Sequence, residues 1–331
     1  MVVHISYIPL HTLRQLLFLF LFLIVSSCKK DKISLEVTEI PSHTNMDLRS
    51  ISNDGSDNIY ITGGNDDHGI ILKSEDAGIS FSIFNSDFNQ RINDLVWLDS
   101  NNVFIVGNDF KAFHSNDQGG TWQPVWFNGF ISLEYLTDLL KITALNDSTL
   151  FFCGGWQFGK GVIGKSVDKG ISWSYTPLDH EMRSIKFFDD SHGICVGYGA
   201  LLFTNNGGID WHFSDAKNQF WTSLVINQNI ALACSYTGAI AQSEDLGITW
   251  HILRNANTLL QNSGHFNSIH TIDGINLYCA GFSGDFIYSE NTGSDWKSVT
   301  SFASNSINDV LLIKDKEGLC VGDEGKIFHF H

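Results

Sequence analysis

Charge, proline and the short signatures of enzymes are what this chain has least of. Of its 331 residues only 17% are charged, four are proline and five are arginine. There is no phosphate-binding P-loop, no GxSxG nucleophile elbow and no GxGxxG after a strand. His-Glu-x-x-His, CxxC and EF-hand spacing are also missing, and the 13 histidines are scattered, so neither a metal nor a cofactor is expected. Helix-type charge patterning is scarce, while glycine numbers 30 and phenylalanine 25, which points to an all-β protein with many turns.

Long apolar runs are absent too, with one short exception. Leu16–Val25 is ten unbroken apolar residues, behind Arg14 and ahead of Ser26-Ser27-Cys28. As a helix it would span about 15 Å, half of a hydrocarbon core of roughly 30 Å. It reads instead as the apolar centre of a secretory signal. Val25-Ser26-Ser27-Cys28 resembles the lipobox of bacterial lipoproteins, which implies removal of residues 1–27 and lipidation of Cys28. The expected division is a signal peptide over 1–27, a lipidated cysteine and tether over 28–32, and a folded body over 33–331. A cell-envelope protein anchored by lipid, at the outer membrane, is the expected setting. The chain without residues 1–27 carries a net charge of −17, which argues against nucleic acid and anionic headgroups as partners.

What is abundant is repetition. Ser115-Asn116-Asp117-Gln118-Gly119-Gly120-Thr121-Trp122 recurs as Ser74–Phe81, Ser166–Trp173, Thr204–Trp211, Ser243–Trp250 and Ser289–Trp296. A second pattern, apolar-x-Ser/Asp-apolar, occurs seven times and places Arg49, Asn93, Thr137, Arg183, Thr222, Asn267 and Asn308 at matching positions. Between the two lie a β-former run ending in Gly and a short strand opened by Gly. Four short strands per unit of about 40 residues are the pattern of a propeller blade. The seventh unit stops three strands in, at His331, and Ile33–Ile40 near the N-terminus is a strand without a hairpin partner. That orphan is expected to complete blade seven, giving a closed seven-bladed β-propeller.

Strands A to D alternate in direction, so the Asp motifs fall on C–D turns along one rim. Asp76, Asp117, Asp168, Asn206, Asp245 and Asn291 are then turn holders, a role in which Asn can replace Asp and a catalytic carboxylate could not. The opposite rim gathers Arg49, Arg183, Trp156, Phe158, Tyr198, Tyr236 and Phe282, with long D–A loops at Gln123–Tyr135 and His251–His265. It suits a protein or glycan ligand. Cys153, Cys195, Cys234, Cys279 and Cys320 match Ile61 and Ile105 in the unit, which predicts free, buried thiols too far apart to bridge.

Across residues 46–331 the unit resembles the photosystem II stability/assembly factor-like family of Asp-box propellers, and more loosely sortilin- and sialidase-type propellers. The resemblance implies a non-catalytic protein-binding propeller, although only Arg49 and Arg183 stand on strand A where that family implies a basic patch; a monomer is expected. The enzyme alternative is a sialidase or another Asp-box glycoside hydrolase. Against it, Arg91-Ile92-Asn93 lacks the proline of the sialidase element, and nothing pairs the rim carboxylates Glu181 and Asp87.

Overall fold

A computed structural model describes residues 35–127, 136–216, 219–256, 264–299, 302 and 304–331. Cys28 and the signal segment lie outside the described residues, as do Ile33 and Ser34 of the orphan strand. The described chain forms seven four-stranded antiparallel sheets. Blade 1 runs through Leu48–Asn53 (A), Ile59–Gly64 (B), Gly69–Ser74 (C) and Ser82–Phe88 (D). Blade 7 takes Ile307–Lys314, Glu317–Gly322 and Ile327–Phe330 from the C-terminus, and Val37–Ile40 as its outer strand. Val37 pairs with Phe330 and Ile40 with Ile327, so first and last strands share one ladder and the ring has no seam.

Burial follows the strand period. Strand B is buried on both faces, as in Val103–Gly107 and Leu277–Gly281, because neighbouring blades cover it from either side. One apolar layer joins Ile51, Ile61 and Leu72 of blade 1 to Leu319, Val321 and Ile327 of blade 7.

The Asp motifs close the C–D turns. Asp117 accepts from the Ser115 hydroxyl at 2.7 Å and from the Thr121 amide and hydroxyl at 2.8 Å each. Those bonds, led by the Thr121 amide, hold its carboxyl down at about 2. Gly119 sits at φ 87°, and a Cβ there would lie 2.6 Å from the Phe84 ring of the preceding blade. The motif therefore packs blade on blade as well as turning the chain.

The two asparagine copies follow a chemical exchange. Asn206 donates its Nδ2 to Asp210 at 3.0 Å, and Asn291 donates to Asp295 at 3.2 Å. In the aspartate copies the same partner position holds Ser80, Thr121, Ser172 or Thr249, each donating a hydroxyl to the carboxylate. Donor and acceptor have swapped places, and the turn keeps its bond.

The cysteine register departs from expectation. Cys195, Cys279 and Cys320 pair with Ile185, Ile269 and Val310, matching Ile61, which pairs with Ile51. Cys153 pairs with Lys141 and Cys234 with Ser223, one step toward the other rim. A one-residue step turns a side chain to the opposite face. Cys153 of blade 3 thus faces Cys195 of blade 4 in one core layer, and Cys234 of blade 5 shares another with Cys279 of blade 6. All five are free and buried, as expected. They are not all far apart: Cys153 and Cys195 share one core layer, and burial first, then that neighbour, pushes the Cys195 pKa well up.

Candidate functional site: the bulged mouth

Every strand A carries a β-bulge at the same place. Its register against strand B slips between Leu48 and Ser50, Ile92 and Asp94, Leu139 and Lys141, and Met182 and Ser184. The same slip falls between Trp221 and Ser223, Phe266 and Ser268, and Ile307 and Asp309. A bulge leaves one residue unpaired and re-aims it. Here the released residues Arg49, Asn93, Leu140, Arg183, Thr222, Asn267 and Asn308 converge on one cavity of about 160 Å³ at the mouth of the central channel.

Thr137 is the one expected member that the structure moves. In blade 3 the buried anchor opposite Gly154 is Leu139, as Leu48 is opposite Gly63. Leu136 precedes the strand and is 42% exposed. The repeat in blade 3 therefore starts three residues later, Leu140 takes the bulge and Lys141 takes the position held elsewhere by Ser or Asp.

Four bulge side chains hold the ring together. Asn93 donates to the Leu139 carbonyl of the next blade at 2.9 Å, Thr222 to Phe266 at 2.7 Å, Asn267 to Ile307 at 3.0 Å and Asn308 to Leu48 at 2.8 Å. The same relation repeats from blade to blade, so these polar residues serve the fold.

Arg49 and Arg183 break that pattern and stay on the rim. Arg49 pairs with Asp47 at 2.9 Å and reaches Asp323 at 3.9 Å. Burial, with Arg91 nearby, lowers its pKa. Arg183 pairs with Glu181 at 2.9 Å and lies over the Tyr198 ring, 5.3 Å from its centroid. Glu181 is buried, and its second oxygen accepts the Phe158 amide at 3.0 Å. Both carboxylate oxygens are committed to positioning. Asp87 lies on strand D of blade 1 instead of on a loop, and is exposed.

The aromatics divide into two groups. Phe158 stacks on Tyr198 with centroids 5.0 Å apart, and Phe220 packs edge-on against Tyr198 at 5.4 Å. Tyr236 meets Phe282 at 5.3 Å and His265 at 4.9 Å. Trp156 is 54% exposed. Phe220 escaped the sequence reading; its signal is an aromatic directly ahead of Trp221, which opens strand A, and a bridge to Tyr198 brings it to the rim. Gln123 and His251 open strands D of blades 2 and 5, so the expected long loops begin later; residues 128–135 and 257–263 lie outside the described ones.

One backbone feature sets Phe158 apart. Gln157 and Phe158 both have positive φ, 52° and 66°, in a tight B–C turn. Bulky side chains avoid that region, and non-glycine residues held there gather at functional sites. In blade 2 the matching pair Asp109 and Phe110 buries its phenylalanine, whereas Phe158 is 61% exposed.

Bulged inner strands and seven closed blades, with ion-paired arginines and aromatics at the mouth, define a seven-bladed β-propeller. Among solved structures the chain is similar to YCF48 bound to D1 peptide, at 16% identity and TM-score 0.69, covering 91% of this chain and 97% of that one. It is similar to YCF48 from Cyanidioschyzon merolae, at 15% identity and TM-score 0.69, covering 89% and 98%. It is also similar to the GH74 xyloglucanase from Xanthomonas campestris, at 13% identity and TM-score 0.59, covering 80% of this chain and 49% of that one. No family model matches the sequence, and no curated protein does. At these identities the likeness is one of fold.

Proposed function

We propose that this propeller is a non-catalytic, lipid-anchored binding protein of the bacterial cell envelope that holds a peptide segment of a protein partner on its bulged rim. The observation that carries the reading is Phe158. A strained turn presents it to solvent, its amide is tied to Glu181, and it stacks against the Tyr198 ring beneath Arg183. An aromatic ridge with Arg183 lying over it suits a peptide that presents an apolar side chain. The similar YCF48 structure with its bound D1 peptide supports a peptide as the ligand class. Against turnover by Glu181 stands its double engagement with Arg183 and the Phe158 amide.

The test is capture from envelope extract by immobilised protein, followed by titration of the captured partner. Phe158→Ser and Arg183→Gln should each weaken that partner at least tenfold, about 1.4 kcal/mol. Equal binding by both variants, or glycoside turnover abolished by Glu181→Gln, would overturn the reading. Anchoring at Cys28 is tested by labelling with a palmitate analogue: Cys28→Ala should lose all label, and retained label would refute it.

A further inference from the structure

Beneath the mouth, an ionic bridge crosses the central channel. Lys141 Nζ lies 3.4 Å from Asp94, 3.6 Å from Asp309 and 3.1 Å from the Ser50 hydroxyl, linking blades 3, 2, 7 and 1. Beyond the bridge the channel widens into a chamber of about 600 Å³ that runs to Asn53 and Asp54 at the A–B turns of the opposite face. A chamber of that size accommodates a small organic molecule.

The polar groups of the chamber are unevenly satisfied. Asp94 accepts from Ser50 at 2.7 Å and from the Ile142 amide at 2.9 Å, besides Lys141. Asp309 accepts from Ser268 at 2.8 Å and from the Val310 and Ile51 amides at 3.0 and 3.2 Å, besides Lys141. These acceptors are filled. The donors are not. Lys186 lines the chamber with no ion pair or hydrogen bond among the described residues, and the His270 Nδ1 is buried without a partner. Lys186 is surrounded by protein yet open to channel water, and burial lowers its pKa while Asp94 pulls it up. Ser184 stands two residues before it on the same strand face and also lines the chamber. Lys186 thus presents an ammonium to the water of the chamber and has no carboxylate of its own among the described residues.

We propose that this chamber binds a small organic oxyanion, a carboxylate or phosphate, on the Lys186 ammonium, with the Ser184 hydroxyl as a second donor and the His270 ring in the chamber wall. The site is independent of the rim: it opens on the other face, with the Lys141 bridge between them. Asp94 and Asp309, the carboxylates whose charge reaches Lys186, already face Lys141.

Isothermal titration with succinate and with inorganic phosphate, each against chloride at matched ionic strength, tests the proposal. Wild-type protein should bind at least one of the two saturably. Lys186→Gln should weaken that binding tenfold or more, while Arg183→Gln on the rim leaves it unchanged. In wild-type protein the His270 ring resonances should shift along the same saturation curve, a readout that needs no substitution. Absence of saturable binding by both probes overturns the proposal. So does equal affinity in Lys186→Gln, loss in Arg183→Gln, or a His270 ring that does not respond.

Discussion

Replacing Lys141 by methionine tests how far the channel bridge holds the ring. The substitution keeps most of the chain length and removes the one cation shared by Asp94 and Asp309, whose side chains are only 9% and 16% exposed. Breaking a buried pair by removing one partner costs about 3–5 kcal/mol. The Lys141 side chain is 30% exposed to channel water, so the lower end applies, about 3 kcal/mol. With a melting shift of roughly 2–4 °C per kcal/mol for a large domain, the midpoint should fall by roughly 6–12 °C.

The pH dependence supplies a sharper check. Burial alone would lower the Lys141 pKa, but Asp94 and Asp309 outweigh it and the net shift is upward. Its contribution is therefore full below the ordinary lysine value, about 10.4, and is lost as pH rises through the raised one. For Asp309 burial works to raise the pKa, yet Lys141 and the Ser268 bond win and the net shift is downward. Its contribution is full above about 3.9 and is lost as pH falls through the depressed value. Wild-type stability from the bridge should be flat between those limits. In Lys141→Met the buried Asp309 loses its cation, so acidification from neutral pH should shrink the deficit, because protonation relieves an unpaired buried charge. Urea melts of both proteins from pH 4 to 8 measure this. A deficit under about 1 kcal/mol, the range of a surface pair, or one that grows on acidification, would refute the reasoning.

Three further outcomes follow from the same geometry. Asn308→Ala removes the bond from blade 7 to the Leu48 carbonyl and the one to Asp323, and should cost about 1–2 kcal/mol in urea melts; no change would mean that the bulge residues do not latch the ring. Asp76→Ala should lower the thermal midpoint at neutral pH, and the difference should vanish as pH falls through about 2, where hydrogen bonds led by Ser80 hold the wild-type carboxyl; a difference that persists below that pH would contradict the turn assignment. The five propeller thiols should resist a thiol reagent in native protein and all react in denaturant, since burial pushes Cys234 up to about 12 and leaves none of the five accessible; rapid native labelling would contradict the packing.

Much of the architecture was legible because propellers repeat. A motif that returns blade after blade acts as a ruler: it measures the unit, exposes the missing outer strand and points to Ile33–Ile40, of which Val37–Ile40 forms that strand. The reading slipped where the repeat is locally degenerate. Leu136-Thr137-Asp138-Leu139, with Asp at its third place, fits the strand-A pattern better than Leu139-Leu140-Lys141-Ile142, which has Lys there. Only pairing with strand B, with Leu139 opposite Gly154, decides between them. The same ambiguity of one step hid the facing cysteines, because alternation assigns a face only after register is known.

What the sequence determined by itself was therefore the set of local, periodic choices: strand, turn, apolar layer, blade count and closure. Strand, turn and apolar layer depend on neighbours a few residues apart, and blade count and closure follow from counting the repeats, both of which a sequence displays directly. Tertiary structure decided which side chains from different blades share a space. Asp94, Lys141 and Asp309 are far apart in the chain and meet because three bulged strands turn them into one channel. Lys186 stands alone for the same reason, with its nearest carboxylates already taken by a lysine two strand positions away on the neighbouring blade. Ring closure sets such meetings, and no local pattern records them.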